Sequence, residues 1–156
     1  MRPIRAKDAD MLQRSFRTLT PEEIRMRFMH PITGLTDEYA QRLCDVDPER
    51  AFAVILVEVK PPEEALIRAV ARVAIDDTGE EGEFAIIVGR EIRRLGFGQF
   101  LMNQLIEWSR ARKLASIYGF ILEENQPMLA LMKRMGFTLG PSDQDTGVIL
   151  ARLSLD

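Results

Sequence analysis

Two periods of apolar residues alternate along this chain, and they divide it into elements. Met1 to Arg5 reads as a short first strand. From Ala6 to Leu19, Met11, Leu12, Phe16 and Leu19 recur at helical spacing. Thr20-Pro21-Glu22-Glu23 then supplies an N-cap, a proline at the first helical position and a glutamate that completes a capping box. This predicts a short helix to about Met29, and Thr36 opens another that runs through Tyr39, Leu43 and Cys44 to about Asp45. The period then shortens. Ala51 to Val59 is an apolar β-rich run followed by a Lys60-Pro61-Pro62-Glu63-Glu64 turn, Ala65 to Ile75 alternates, and Asp76-Asp77-Thr78-Gly79 closes it. Glu83 to Val88 is the third strand of this group. From Gly96 the helical period returns, with Leu101, Leu105 and Trp108 on one face and Gln99, Asn103, Glu107 and Arg110 on another. Ser116 to Leu122 reads as strand, Pro127 to Met135 as helix, and Phe137 to Leu139 and Val148 to Leu153 as closing strands. The order β-α-α-α-β-β-β-α-β-α-β-β predicts one α+β domain over residues 1–156, a mixed sheet with helices packed over it.

Composition narrows the chemistry. A net charge of −3 gives no protein-wide attraction to nucleic acid or anionic lipid, so neither is expected as a partner. One cysteine, Cys44, and one histidine, His30, provide neither a disulfide nor a multi-Cys or multi-His metal site, and no metal is expected. The polar, charged start of the chain is unlike a signal peptide, and the longest apolar stretch, Ala51 to Val57, is too short to cross a bilayer. A cytoplasmic location is the expectation.

The chemistry-bearing feature is Arg93-Arg94-Leu95-Gly96-Phe97-Gly98, set between the Glu83 to Val88 strand and the helix from Gln99 to Lys113. Two glycines and two arginines at a strand-to-helix junction offer bare N–H groups, a helix N-terminus and positive charge, a combination suited to phosphate. The dinucleotide fingerprint fits poorly, because its third glycine would fall at Leu101. A P-loop is excluded by the lack of Gly-Lys-Ser/Thr.

Arg-x-x-Gly-x-Gly after an apolar strand resembles the acyl-CoA pyrophosphate-binding motif of the GNAT superfamily of N-acetyltransferases. Ile86-Ile87-Val88 before it, Asn125-Gln126-Pro127-Met128 after the next strand and Met135-Gly136-Phe137 at the following helix end agree with that family in order. Arg25-Met26-Arg27-Phe28, the Leu35-Thr36 turn and Asp45-Val46-Asp47 are similar to the GNAT domains of bacterial protein-lysine acetyltransferases. The resemblance implies a GNAT fold, with a mostly antiparallel twisted sheet, and transfer of an acetyl group from acetyl-CoA to an amine, first of all a protein lysine. A small-molecule amine acetyltransferase and a non-catalytic acyl-CoA-binding regulatory module stand as alternatives.

Roles follow from the same resemblance. Glu83 would be the general base, in a Glu-Phe-Ala-Ile-Ile-Val context that would desolvate it and raise its pKa; the alternative is a solvated carboxylate like Glu80 and Glu81. Backbone N–H groups of Ile86, Ile87 or Val88 would bind the acetyl carbonyl and the pantetheine amides. Arg93 and Arg94, with N–H groups of Leu95, Gly96, Phe97, Gly98 and Gln99, would hold the pyrophosphate. Arg94 stands where the family commonly has glycine, and Leu95 where it has a basic residue. Asn125 is open to two roles, capping the next helix or bonding the pantetheine arm. Met132 occupies a position where the family often has a tyrosine acid, so that hydroxyl is absent here. Cys44 on the apolar side of its helix reads as core, as do Met128, Met132 and Met135, and His30 as a helix end.

Overall fold

A computed structural model describes all residues except 30, 31, 33, 144, 145 and 156. His30 therefore lies outside the described residues. The chain forms β1 (Arg2–Pro3), a 3-10 turn (Ala6–Asp8), α1 (Ala9–Phe16), α2 (Pro21–Phe28), α3 (Asp37–Cys44), β2 (Ala51–Val57), β3 (Ile67–Ile75) and β4 (Glu81–Val88). A second 3-10 turn (Arg90–Ile92) leads to α4 (Phe97–Ala111), β5 (Ser116–Leu122), α5 (Gln126–Arg134), β6 (Thr138–Pro141) and β7 (Val148–Ser154).

The order of elements is the one the periodicity predicts; the ends differ. The first strand shrinks to two residues, and the first helix begins only after a 3-10 turn, at Ala9, and stops at Phe16. β4 starts at Glu81, so Glu83 is its third residue and not its first. The helix starts are well marked in the sequence because their caps are local. Thr20 Oγ1 accepts from the Glu23 N–H at 3.1 Å, and Glu23 Oε1 accepts from the Thr20 N–H at 2.9 Å. Thr36 Oγ1 accepts from the Tyr39 N–H at 3.1 Å.

Seven strands form one sheet in the order β1-β2-β3-β4-β5-β7-β6. Every pairing is antiparallel except β4 with β5. The larger core lies between one sheet face and α4 and α5, where Leu101, Met102, Leu105, Ile117 and Met132 are fully buried. The smaller core lies on the other face, with Ile4, Met11, Cys44, Ile55 and Ile67 buried together on the side of α1 and α3.

The feature that positions the site is the partial pairing of β4 and β5. It covers only Glu81 with Ser116, Gly82 with Ile117 and Glu83 with Tyr118, although both strands continue for five and four residues more. β5 instead keeps its whole length paired to β7, and β4 its length to β3. The two strands therefore part after Glu83. At the fork the Phe84 ring leans over Gly119 and packs edge-on against Phe137, with centroids 5.6 Å apart and planes at 70°. A Cβ on residue 119 would sit 2.6 Å from Phe84 Cζ.

Gly119→Ala should therefore force the Phe84 ring out of its place and cost about 1–3 kcal/mol, as overpacking in a core does. Urea unfolding measures it. A variant as stable as the parent would mean that the ring moves freely and does not wedge the fork.

Candidate active site

The backbone of β4 faces two ways. Gly89 N–H donates to Arg68 O at 2.7 Å, and Asp76 N–H donates to Glu81 O at 2.9 Å; both pairs lie in the β3–β4 register. Antiparallel alternation then assigns the polar groups of Glu83, Ala85 and Ile87 to β3, and those of Phe84, Ile86 and Val88 to the opposite edge. Beyond Glu83 that edge looks into the gap left by β5. Of the three residues expected to offer N–H groups to an acyl donor, Ile86 and Val88 present them there. Ile87 does not, because its N–H is taken by the β3 ladder.

Past Val88 the chain turns into α4. Gly96 adopts φ +87°, and nothing lies within 4 Å of where its Cβ would be, so the position requires left-handed backbone and leaves open space in front of it. Gly98 has a different reason: a Cβ there would meet Leu131 Cδ2 at 3.1 Å, so the first turn of α4 packs tightly on α5. The first bond of the helix runs from the Phe100 N–H to Gly96 O at 3.2 Å, and the N–H groups of Phe97, Gly98 and Gln99 precede it with no helix carbonyl to reach. Gln99 and Leu95 are exposed, Leu95 at 65%. Arg94 is exposed and holds φ +66°, the conformation for which glycine is suited.

Arg93 is not a free loop cation. Its Nη2 lies 3.3 Å from Glu23 Oε2, and its Nε donates to Val88 O at 3.2 Å. Glu23 is buried at 6% exposure and also accepts from Arg90 Nη1 at 2.7 Å. The capping-box glutamate thus pins the loop to α2, a second role that the local motif could not reveal. On the other side of the gap, Arg25 of the same helix pairs with Glu124, just before Asn125. Asn125 begins α5 but its side chain makes no capping bond; only its backbone is engaged, N–H to Leu122 O and C=O from the Leu129 N–H. The capping role is therefore not realised, and its amide is available at the edge of the gap.

Glu83 sits at the last rung before the fork, on the sheet face covered by α1 to α3. Its side chain is open to solvent, yet enough of the protein surrounds it that partial desolvation, reinforced by Asp76 and opposed by Arg27, holds its carboxyl above the ordinary range. Across the rung, Tyr118 Oη donates to Asp76 Oδ2 at 3.0 Å, and burial with that bond pushes the phenol up to about 12. Cys44 is 1% exposed and its thiol is pushed up to about 11 by burial, so it is a core residue and no nucleophile. Met132 is fully buried and Met128 and Met135 pack around the same core. Among the described residues no cluster of His, Cys, Asp or Glu suits a metal ion, and no helix is long and apolar enough to cross a membrane.

A fork between parallel strands, with a left-handed glycine turn into a helix beside it, is the arrangement that the resemblance to the GNAT superfamily leads one to expect. Comparison places it: the family model for the acetyltransferase (GNAT) family matches residues 14–137, and the chain belongs to that family. It is 26% identical to the acetyltransferase PA5475 of Pseudomonas aeruginosa over 158 aligned positions, 99% of this chain and 83% of that protein. Among solved structures it is similar in fold to the GNAT domain of S. lividans PAT, with a TM-score of 0.86 at 20% identity over 99% of this chain and 89% of the other. NAA60 of Arabidopsis thaliana, solved with a bisubstrate analogue, matches at TM-score 0.71 and 15% identity over 99% and 98%. The protein is an acetyltransferase of GNAT fold, of a family that takes its acetyl group from acetyl-CoA.

Arg94→Gly tests the loop. Removing the side chain from a left-handed residue should raise stability by up to about 1 kcal/mol in urea unfolding, while loss of the charge should weaken coenzyme A binding in a calorimetric titration of the same variant. A variant that gains no stability would show that φ +66° carries no strain.

Proposed function

We propose that the protein acetylates a protein lysine side chain, with Glu83 as general base. The observation that carries the assignment is the position of Glu83: a carboxylate of raised pKa at the rung where β4 and β5 part, beside the backbone groups of Ile86 and Val88. The protein-lysine acceptor rests on the resemblance of Arg25-Met26-Arg27-Phe28, the Leu35-Thr36 turn and Asp45-Val46-Asp47 to bacterial protein-lysine acetyltransferases, and the fold shared with the GNAT domain of S. lividans PAT is in keeping with it. The N–H groups of Ile86 and Val88 would hold the acyl end of the donor. The open cradle at Gly96 and the first N–H groups of α4, Phe97 to Gln99, fit a pyrophosphate, with charge from exposed Arg94 and from Arg93 at the edge of its pair with Glu23. The free Asn125 amide would meet the pantetheine arm.

A lysine side chain has a pKa near 10.4, so at pH 7 about one in 2,500 is uncharged, a deficit of roughly 4.6 kcal/mol. Glu83 takes one proton from the ammonium, the neutral amine then attacks the thioester carbonyl, and as the C–S bond breaks the second proton passes from the nitrogen to the departing thiolate or to water. A positioned base supplies about 10²–10⁴ in rate, which is the scale of the deficit.

Glu83→Gln should lower kcat by about 10²–10⁴ with coenzyme A affinity unchanged. In the parent, activity requires the ionised carboxylate, so kcat/KM should fall as pH drops through a pKa above the ordinary glutamate value, and this acid limb should vanish in the variant. Transfer by Glu83→Gln at the parental rate would remove Glu83 from the mechanism.

A further inference from the structure

On the sheet face that carries Glu83, two arginines of the described residues stand without an ion pair. Arg27 comes from α2 and Arg72 from the middle of β3, and both line one cleft between those helices and the sheet. Arg72 lies opposite Ala85 in the β3–β4 register, which makes Glu83, two residues earlier, its diagonal neighbour on the same face. The residues directly opposite, Ala74 to Glu83 and Ala85 to Arg72, are small and leave room above the strands. Tyr39 of α3 packs its ring edge-on to Phe28 at 6.3 Å.

Several other arginines near this end of the sheet are paired. Arg90 and Arg93 share Glu23, Arg68 lies against Glu58 and Glu91, and Arg25 meets Glu124. Among the described residues, neither Arg27 nor Arg72 makes an ion pair. Arg72 gives one nitrogen to Leu43 O, while its Nε is buried with no hydrogen-bond partner. Arg27 lies over the face of the neighbouring Phe28 ring, 4.7 Å from its Cζ, and feels Tyr39 and Glu83 only at a distance, with no hydrogen bond to either. Burial and mutual repulsion act on the pair, and Arg27 is pushed down to about 10, by burial first and by Arg72 second. Desolvated cations left without a partner are costly, and a forked guanidinium matches a carboxylate. Among the described residues no carboxylate pairs with either guanidinium, so the two are free to take one from a bound molecule.

We infer that the acceptor amine carries a carboxylate close by, and that Arg27 and Arg72 hold it while Glu83 faces the amine. This rests on Glu83 marking the acceptor site. The carboxylate can come from an acidic side chain beside a lysine in a peptide or from the α-carboxyl of a free amino acid; the chemistry recognised is the same.

The test pairs a transfer assay with a binding assay. Acetylation is followed for two lysine peptides that differ only in Glu or Gln beside the lysine, and for free lysine against its carboxamide; binding of the same four to the coenzyme A–saturated protein is measured by calorimetry. The carboxylate member of a pair should be preferred by about tenfold or more, as for a charge-assisted hydrogen bond, and whichever pair shows this names the source. Arg27→Gln should collapse the preference towards unity, Arg27→Lys should keep part of it, and coenzyme A affinity should not move in either. Arg72→Lys, which keeps the charge but loses the fork, should lie between. Equal transfer to both members of each pair would overturn the inference and leave the acetyltransferase assignment of Glu83 intact. Preferential binding with no transfer would keep the anion site and sink the proposed function. Neither preference nor binding in any arm would sink both.

Discussion

β4 is asked to be two things at once, and the site exists because it cannot be both along its whole length. All along β3 it is an interior strand. Towards β5 it is interior for only three rungs, after which β5 stays with β7 and leaves β4 with an open edge in the middle of a sheet. An edge of that kind is normally a hazard, because it templates pairing with another chain. Here the gap is short, wedged at its base by Phe84 over Gly119, and straddled by α2, whose Glu23 holds the loop on one side and whose Arg25 meets Glu124 on the other. The N–H groups of Ile86 and Val88 on that edge would suit a ligand with amides of its own, as the proposed pantetheine chain has.

The charge economy of α2 follows from the same placement. Glu23 is the one buried carboxylate on this helix, and it is saturated by two arginines and the Thr20 N–H. Nothing is left of it for Arg27, one turn on. Glu83 lowers the cost of Arg27, but it does not pair with it, and a close pair would be self-defeating: a salt-bridged glutamate has a depressed pKa and is a poor base. Holding the cations on a neighbouring part of the face leaves the Glu83 carboxyl above its ordinary range, as the proposed base role would require.

What could be read from the sequence is what local forces decide. The element order, the capping residues Thr20 and Thr36 and the outward and inward faces of α4 are set by neighbours a few residues away, and the structure has them as expected. The two-residue first strand and the late start of α1 depend on what β2 and the 3-10 turn offer, and periodicity could not give them. In the site, the glycines were legible because backbone requirements leave a residue type behind. The partner of Arg93 was not, since Glu23 lies 70 residues away in sequence and was already explained by its cap. Asn125 has the residue type of a cap without making the bond. Arg72 was missed for a related reason: alternation along β3 gives Ala69, Ala71 and Val73 to one face and leaves Arg72 on the other, which reads as solvent until α1 to α3 are seen to cover it. The signal was the unlike neighbour, a single arginine amid Val70, Ala71 and Val73.

The missing acid bears on which half of the reaction the site supports. Met132 stands where a tyrosine could protonate the leaving group, and it is sealed in the core. Tyr118 faces Glu83 across the last rung, but its hydroxyl is committed to Asp76 and its pKa of about 12 makes it a reluctant donor. A thiol with pKa near 8.5 leaves as a thiolate far more readily than a lysine gives up its proton near 10.4. The difficult proton is therefore the one on the acceptor, which is the proton that the proposed base, Glu83, would take.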